Sequence, residues 1–123
     1  MKKIDPKTIN VPNICFSICE DDTERGKLYR KQRLERGFDD SETWNLDCTI
    51  AQFILPRLKR FKEVLISHPM NITATEWNNI LDKMIFAWEY LASDDEFKDV
   101  SDIDKKVEMG LTLFAKYYQN LWW

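Results

Sequence analysis

Any chemistry in this chain has to come from a short set of side chains. Cys15, Cys19, Cys48 and the single histidine, His68, are the soft donors. Together they make a Cys3His set, the donor type of a structural zinc site. Their spacing argues against one, because ribbons and fingers bring their ligands as two close pairs, while Cys48 and His68 stand alone. Apolar burial is the ordinary fate of a residue such as Cys48, with Cys15 and Cys19 partly exposed. His68 precedes Pro69 in a polar stretch and reads as a solvated loop histidine, not a general base. The carboxylates Asp39, Asp40, Glu42 and Asp47 gather where a helix starts, and the helix dipole favours them there without any catalytic role. No Walker loop, dinucleotide-binding glycine set, HExxH or nucleophile elbow is present, and three glycines in all leave no phosphate cradle. The residues therefore name no catalytic group, no metal and no cofactor, and the chain reads as a non-enzyme.

Binding chemistry is better represented. Residues 25–67 carry ten positive and six negative side chains, against five and ten in residues 68–123. Arg25, Lys27, Arg30, Lys31 and Arg33, with Arg36, could line up with Arg57, Lys59, Arg60 and Lys62 as one basic surface. Three readings stay open for it. It is a solvated pair of helix faces, with Arg57 and Lys62 lying along a core edge; or an anion or nucleic-acid site; or a face for an acidic protein. The net charge of −3 weighs against duplex DNA as the default partner. Aromatic residues make the second candidate surface. Five Trp, seven Phe and four Tyr exceed what one small core needs, so some are expected at contacts. Phe86, Tyr90, Trp122 and Trp123 are the candidates for a partner or homo-oligomer surface.

The elements that position these groups are helical. Thr23 to Arg36 reads as a first helix stopped by Gly37, where a left-handed cap residue is wanted. Asp39 and Glu42 have capping-box spacing and open a second helix. Leu46, Ile50, Phe53, Ile54, Leu58, Phe61 and Leu65 then recur at spacings of three and four. Pro56 interrupts that stripe, so the helix kinks there or a new one begins, and the continuity of the stripe favours a kink. Thr73 and Glu76 form a second capping box before the clearest amphipathic pattern, Trp77 to Ala92. A fourth helix runs from about Asp102 to the end, with Gly110 in its apolar face to let a neighbour approach.

The fold class expected is all-α: a single-domain bundle of about four helices over 23–123, with a Pro-kinked second helix. Residues 1–22 form an irregular or extended arm, in which Ile14, Phe16 and Ile18 alternate with Cys15, Ser17 and Cys19. The expected core is Trp44, Ile50, Ile54, Leu58, Phe61, Trp77, Leu81, Met84, Trp88, Val107, Leu111, Phe114 and Tyr118. No apolar run reaches the roughly 18 residues of a membrane span, and no signal-peptide pattern opens the chain. An odd cysteine count fits a reducing cytoplasm.

Three strings, TWNLDCTIAQFILPRLKRFKE at 43–63, TATEWNNILDKMIFAWEYL at 73–91 and EMGLTLFAKYYQNLWW at 108–123, resemble a family of small helical bacteriophage and prophage proteins. The resemblance covers most of residues 39–123 and leaves the start of the chain unmatched. Members of that family often carry an aromatic residue or histidine where Cys48 stands, which argues against a thiol role there. The resemblance implies a viral protein in the cytoplasm of a bacterial host and supplies no catalytic residues.

The leading functional expectation is a non-catalytic, phage-encoded interaction protein that binds a host or anti-phage-defence protein. An oligomeric small-ligand binder that sequesters a nucleotide immune signal is the first alternative. A nucleic-acid-binding modulator acting through the basic first and second helices is the second. No membrane partner is expected.

Overall fold

A computed structural model describes residues 16–17, 22–93 and 102–122. These residues are all-α: four α-helices and two short 3-10 turns, with no strand among them. The chain divides into two compact units, one ending at Thr49 and the other beginning at Ile50.

Helix α1 spans Glu24–Arg36. The Thr23 hydroxyl accepts the Gly26 amide at 3.1 Å and so satisfies one of the orphan donors of the first turn. At the other end Gly37 takes φ 86°, and its amide donates to the Arg33 carbonyl. An L side chain at that φ would be strained, so glycine is the residue that closes this helix cheaply. Asp39 caps a 3-10 turn, Asp40–Thr43, and the reciprocal capping box with Glu42 is complete. The box thus opens this turn, and α2 starts after it.

Helix α2 spans Leu46–Val64 with Pro56 inside it. Of the two alternatives raised by the proline, a kink within one helix and a new helix beginning there, the second does not occur: one helix runs through Pro56. The Arg57 guanidinium donates to the Phe53 carbonyl at 2.9 Å, adding a donor in the turn the proline deprives of an amide. Helix α3 spans Ala74–Ala92 and is capped by Thr73, whose hydroxyl accepts the Glu76 amide at 3.1 Å. Helix α4 spans Ile103–Lys116. It does not run to the chain end as expected: a 3-10 turn, Tyr118–Asn120, follows it.

In the unit from Ile50 onward, the core is Ala51 and Leu58 from α2 with Trp77, Leu81, Met84 and Trp88 from α3. Ile54, Phe61, Leu111 and Phe114 pack against it. The periodicity of α3 dictates this, since 77, 81, 84 and 88 fall on one stripe. Edge-to-face ring pairs fasten α3 to the end of the chain: Trp88 with Phe114 at 5.2 Å, and Trp77 with Tyr117 at 5.5 Å. Gly110 sits where α4 meets α3. A Cβ there would strike the Lys83 carbonyl oxygen and lie 2.5 Å from the Ala87 Cβ. Five of the expected core residues, Ile54, Phe61, Val107, Leu111 and Phe114, are only partly buried, and three more lie on the surface. Trp44, Ile50 and Tyr118 are all exposed, because Trp44 lies in the turn before α2 and Tyr118 in the 3-10 turn beyond α4.

The unit ending at Thr49 has a different interior. Among its described residues Tyr29 is the buried large hydrophobe, and Arg33, Asp39, Ser41 and Glu42 are the buried polar groups. Of the N-terminal arm, Ile14, Cys15, Ile18 and Cys19 lie outside the described residues. Phe16 and Ser17 are described and are neither helix nor strand: the Phe16 amide donates to Glu42 Oε1 at 2.7 Å, and Arg33 donates to Ser17 Oγ at 3.0 Å.

Candidate functional site

The basic surface is largely neutralised from within. On α1, Lys27 pairs with Glu24 (3.5 Å), Lys31 with Glu35 (3.8 Å) and Arg36 with Asp40 (2.6 Å). Arg30 reaches Asp22 at 4.0 Å. On α2, Lys59 meets Glu89 (3.2 Å), Arg60 meets Glu63 (3.1 Å) and Lys62 meets Asp82 (2.5 Å). Arg25 and Arg57 lie over rings instead, of Trp44 at 5.4 Å and Phe53 at 4.0 Å. Exposed pairs of this kind add about 1 kcal/mol or less to stability. The consequence of the ion pairs is electrostatic: a carboxylate beside each paired cation, well inside a Debye length of about 10 Å, weakens the field a phosphate backbone would feel.

Arg33 is not a surface cation at all. It is buried beside the fully buried Asp39, with its guanidinium 2.6 Å from Asp39 Oδ2. A charge taken out of water needs its bonds made, and here they are made. Asp39 Oδ1 accepts the Ser41 amide at 2.8 Å and the Ser41 hydroxyl, and the Asp39 amide donates to Glu42 Oε2 at 2.8 Å. Burial alone would raise the Asp39 pKa. Hydrogen bonds from Ser17, Ser41 and Arg33, with the Ser41 amide, outweigh it and hold the carboxyl below its ordinary range. Bonds from Arg36 and Gln32 likewise lower Asp40. The bonds described for this cluster join parts of the same unit to one another, as a structural network does.

The expected aromatic surface divides. Phe86 and Tyr90 are half-buried, and the Lys106 ammonium stands 5.9 Å over the Phe86 ring. Trp122 is exposed, at 72% of its surface. Trp123 lies outside the described residues.

A groove of about 690 Å³ opens beside Trp122. One wall is the loop after α2, from Ser67 through His68, Pro69, Met70 and Asn71 to Ile72; the other is the end of the chain, with Lys116, Tyr117, Asn120 and Trp122; Trp77 forms part of the lining. His68, expected as a solvated loop residue, is exposed, and its Nδ1 lies 3.0 Å from the Pro69 carbonyl. Around the groove the surface is unusually apolar. Met70 is 99% exposed and Ile66 84%. Among the described residues Lys116 pairs with no carboxylate, and its ammonium lies 5.3 Å over the Tyr117 ring. Nothing in the linear sequence marked this groove, because its lining comes from short pieces of the chain that share no period. The one available signal was two rings and a cation, Lys116, Tyr117 and Trp122, crowded just past an amphipathic stripe.

Among the described residues, no three His, Cys, Asp or Glu side chains are placed to hold a metal ion, and no helix is long and apolar enough to cross a membrane. Of the Cys3His set, Cys15 and Cys19 lie outside the described residues. Set against protein-family models, curated proteins and solved structures, the chain matches none.

Proposed function

We propose that this chain is a non-catalytic interaction protein, acting in the cytoplasm of a phage-infected bacterium by gripping a host or defence protein. The observation that carries the reading is the exposed rim of Ile66, Met70 and Trp122 beside the groove. Large apolar side chains held in water beside a concave surface mark contact sites more often than idle ones. The neutralised cations of α1 and α2 support the same reading, since they weaken the nucleic-acid alternative. The phage-like strings supply the setting. The test is capture with the full chain as bait in expressing bacterial cells. One stoichiometric protein, lost with Trp122→Ala, supports the proposal; nucleotide or RNA recovered in its place overturns it.

A second reading, a small-ligand binder for a nucleotide, draws support from the groove, where Tyr117 and Trp122 offer rings and Lys116 a charge. A nucleotide panel that raises the melting temperature favours it, and flat melting curves dispose of it. Self-association through Phe86, Tyr90, Trp122 and Trp123 is a separate proposal. A light-scattering mass above that of one chain at high concentration supports it, and a strictly monomeric mass overturns it.

A further inference from the structure

We infer that the groove beside Trp122 takes a short segment of a partner protein in which a carboxylate stands next to a large apolar side chain. The inference rests on the interaction reading above and names what that interaction recognises. Three features select this occupant. First, the lining is mostly apolar, with Tyr117, Trp122 and Ile72 contributing rings and aliphatic surface over the buried Trp77. A segment without a large apolar side chain would leave that surface wet. Second, Lys116 is the lining's one permanently charged group, and no carboxylate of the described residues neutralises it. It differs in this from Lys27, Lys31, Lys59 and Lys62, each already matched with an acid. A ligand carboxylate would give Lys116 the partner that those four lysines already have, and a ligand cation would meet repulsion. Third, the exposed apolar surface continues past the groove to Ile66, which does not line it. A small planar anion seated in the groove would leave Ile66 in water. A protein segment covers it together with the Met70 wall. The Asn71 and Asn120 side chains line the same space and supply donors and acceptors of the sort an extended backbone needs.

The test uses the purified full chain and immobilised short peptides that pair Leu, Phe or Trp with Asp, Glu, Gln or Lys at the neighbouring position. Peptides with the acid are expected to bind best, about fivefold tighter than their Gln counterparts, which is the upper end for one exposed ion pair. Trp122→Ala is expected to lower binding tenfold or more, as loss of an aromatic anchor does. Lys116→Glu should reverse the order and favour the Lys peptides, while Lys105→Gln, an exposed cation elsewhere on α4, should change nothing. Equal binding across the peptide charges, or an acid preference that survives Lys116→Glu, overturns the inference. So does a nucleotide whose binding needs Lys116 when no peptide binds. A cellular partner captured equally by wild type and Lys116→Glu leaves the interaction reading standing and removes this one.

Discussion

Replacing Arg33 by alanine strips the fully buried Asp39 of its counter-ion. The cost follows from burial. Asp39 has no exposed surface, and Arg33 donates to it at 2.6 Å. Removing one partner of such a pair costs about 3–5 kcal/mol, because the remaining charge stays in low dielectric without compensation. The same substitution also removes the bond to Ser17 that helps hold the described part of the arm. An isolated helix of the length of α1 is marginal in water, so that loss exceeds what helix propensity can restore. Native-state hydrogen exchange of the α1 amides reads it: protection in Glu24–Arg36 should fall by about two orders of magnitude or more, while the α3 amides keep theirs. The double variant Arg33→Met with Asp39→Leu should cost less than either single loss of charge, since it leaves neither member of the pair buried without its partner. A loss under about 1 kcal/mol in Arg33→Ala, or a double variant equal to the sum of the singles, would refute the view that a buried ion pair organises this unit.

The same carboxylate predicts a pH response. Its folded pKa lies below the unfolded value of about 3.9, so its contribution is fully present above that pH and fades as pH falls through the depressed folded value. Exchange protection in α1 should therefore decline below about pH 4, and Asp39→Asn should flatten that decline. Gly110→Ala should destabilise the second unit: the added methyl meets the backbone at Lys83 and the Ala87 side chain, an overpacking cost of about 1–3 kcal/mol that outweighs a helix-propensity gain of about 1 kcal/mol. Thermal denaturation checks this, and a variant more stable than wild type would contradict the packing. Thr73→Ala removes the hydroxyl that accepts the Glu76 amide and should cost about 1 kcal/mol in the same assay; no change would mean the cap is idle.

What the sequence made legible was local. Thr23, Gly37, Thr73 and the α3 stripe each act through neighbours three or four residues away, where spacing is itself the geometry. Gly110 was legible for a related reason: a glycine inside an apolar helical face has few uses other than close approach. Contacts made across turns were not legible. Arg33 and Asp39 are six residues apart on opposite sides of Gly37, and by residue type alone one reads as a surface cation and the other as a cap. The end of α4 was misjudged because the apolar spacing continues through Tyr117, Tyr118 and Leu121 although the backbone tightens to a 3-10 turn at Tyr118. That change turns Tyr118 outward and places Trp122 beside the groove, so the error about one turn concealed the candidate site.

The most direct measurement puts a photo-crosslinking residue in place of Met70, which is almost wholly in water and makes no core contact to lose. In expressing bacterial cells, light should yield one discrete protein adduct, absent when Trp122→Ala is added. No adduct at Met70, together with a discrete adduct from the same residue placed at Lys31 on α1, would contradict the account and move the working surface to the other unit.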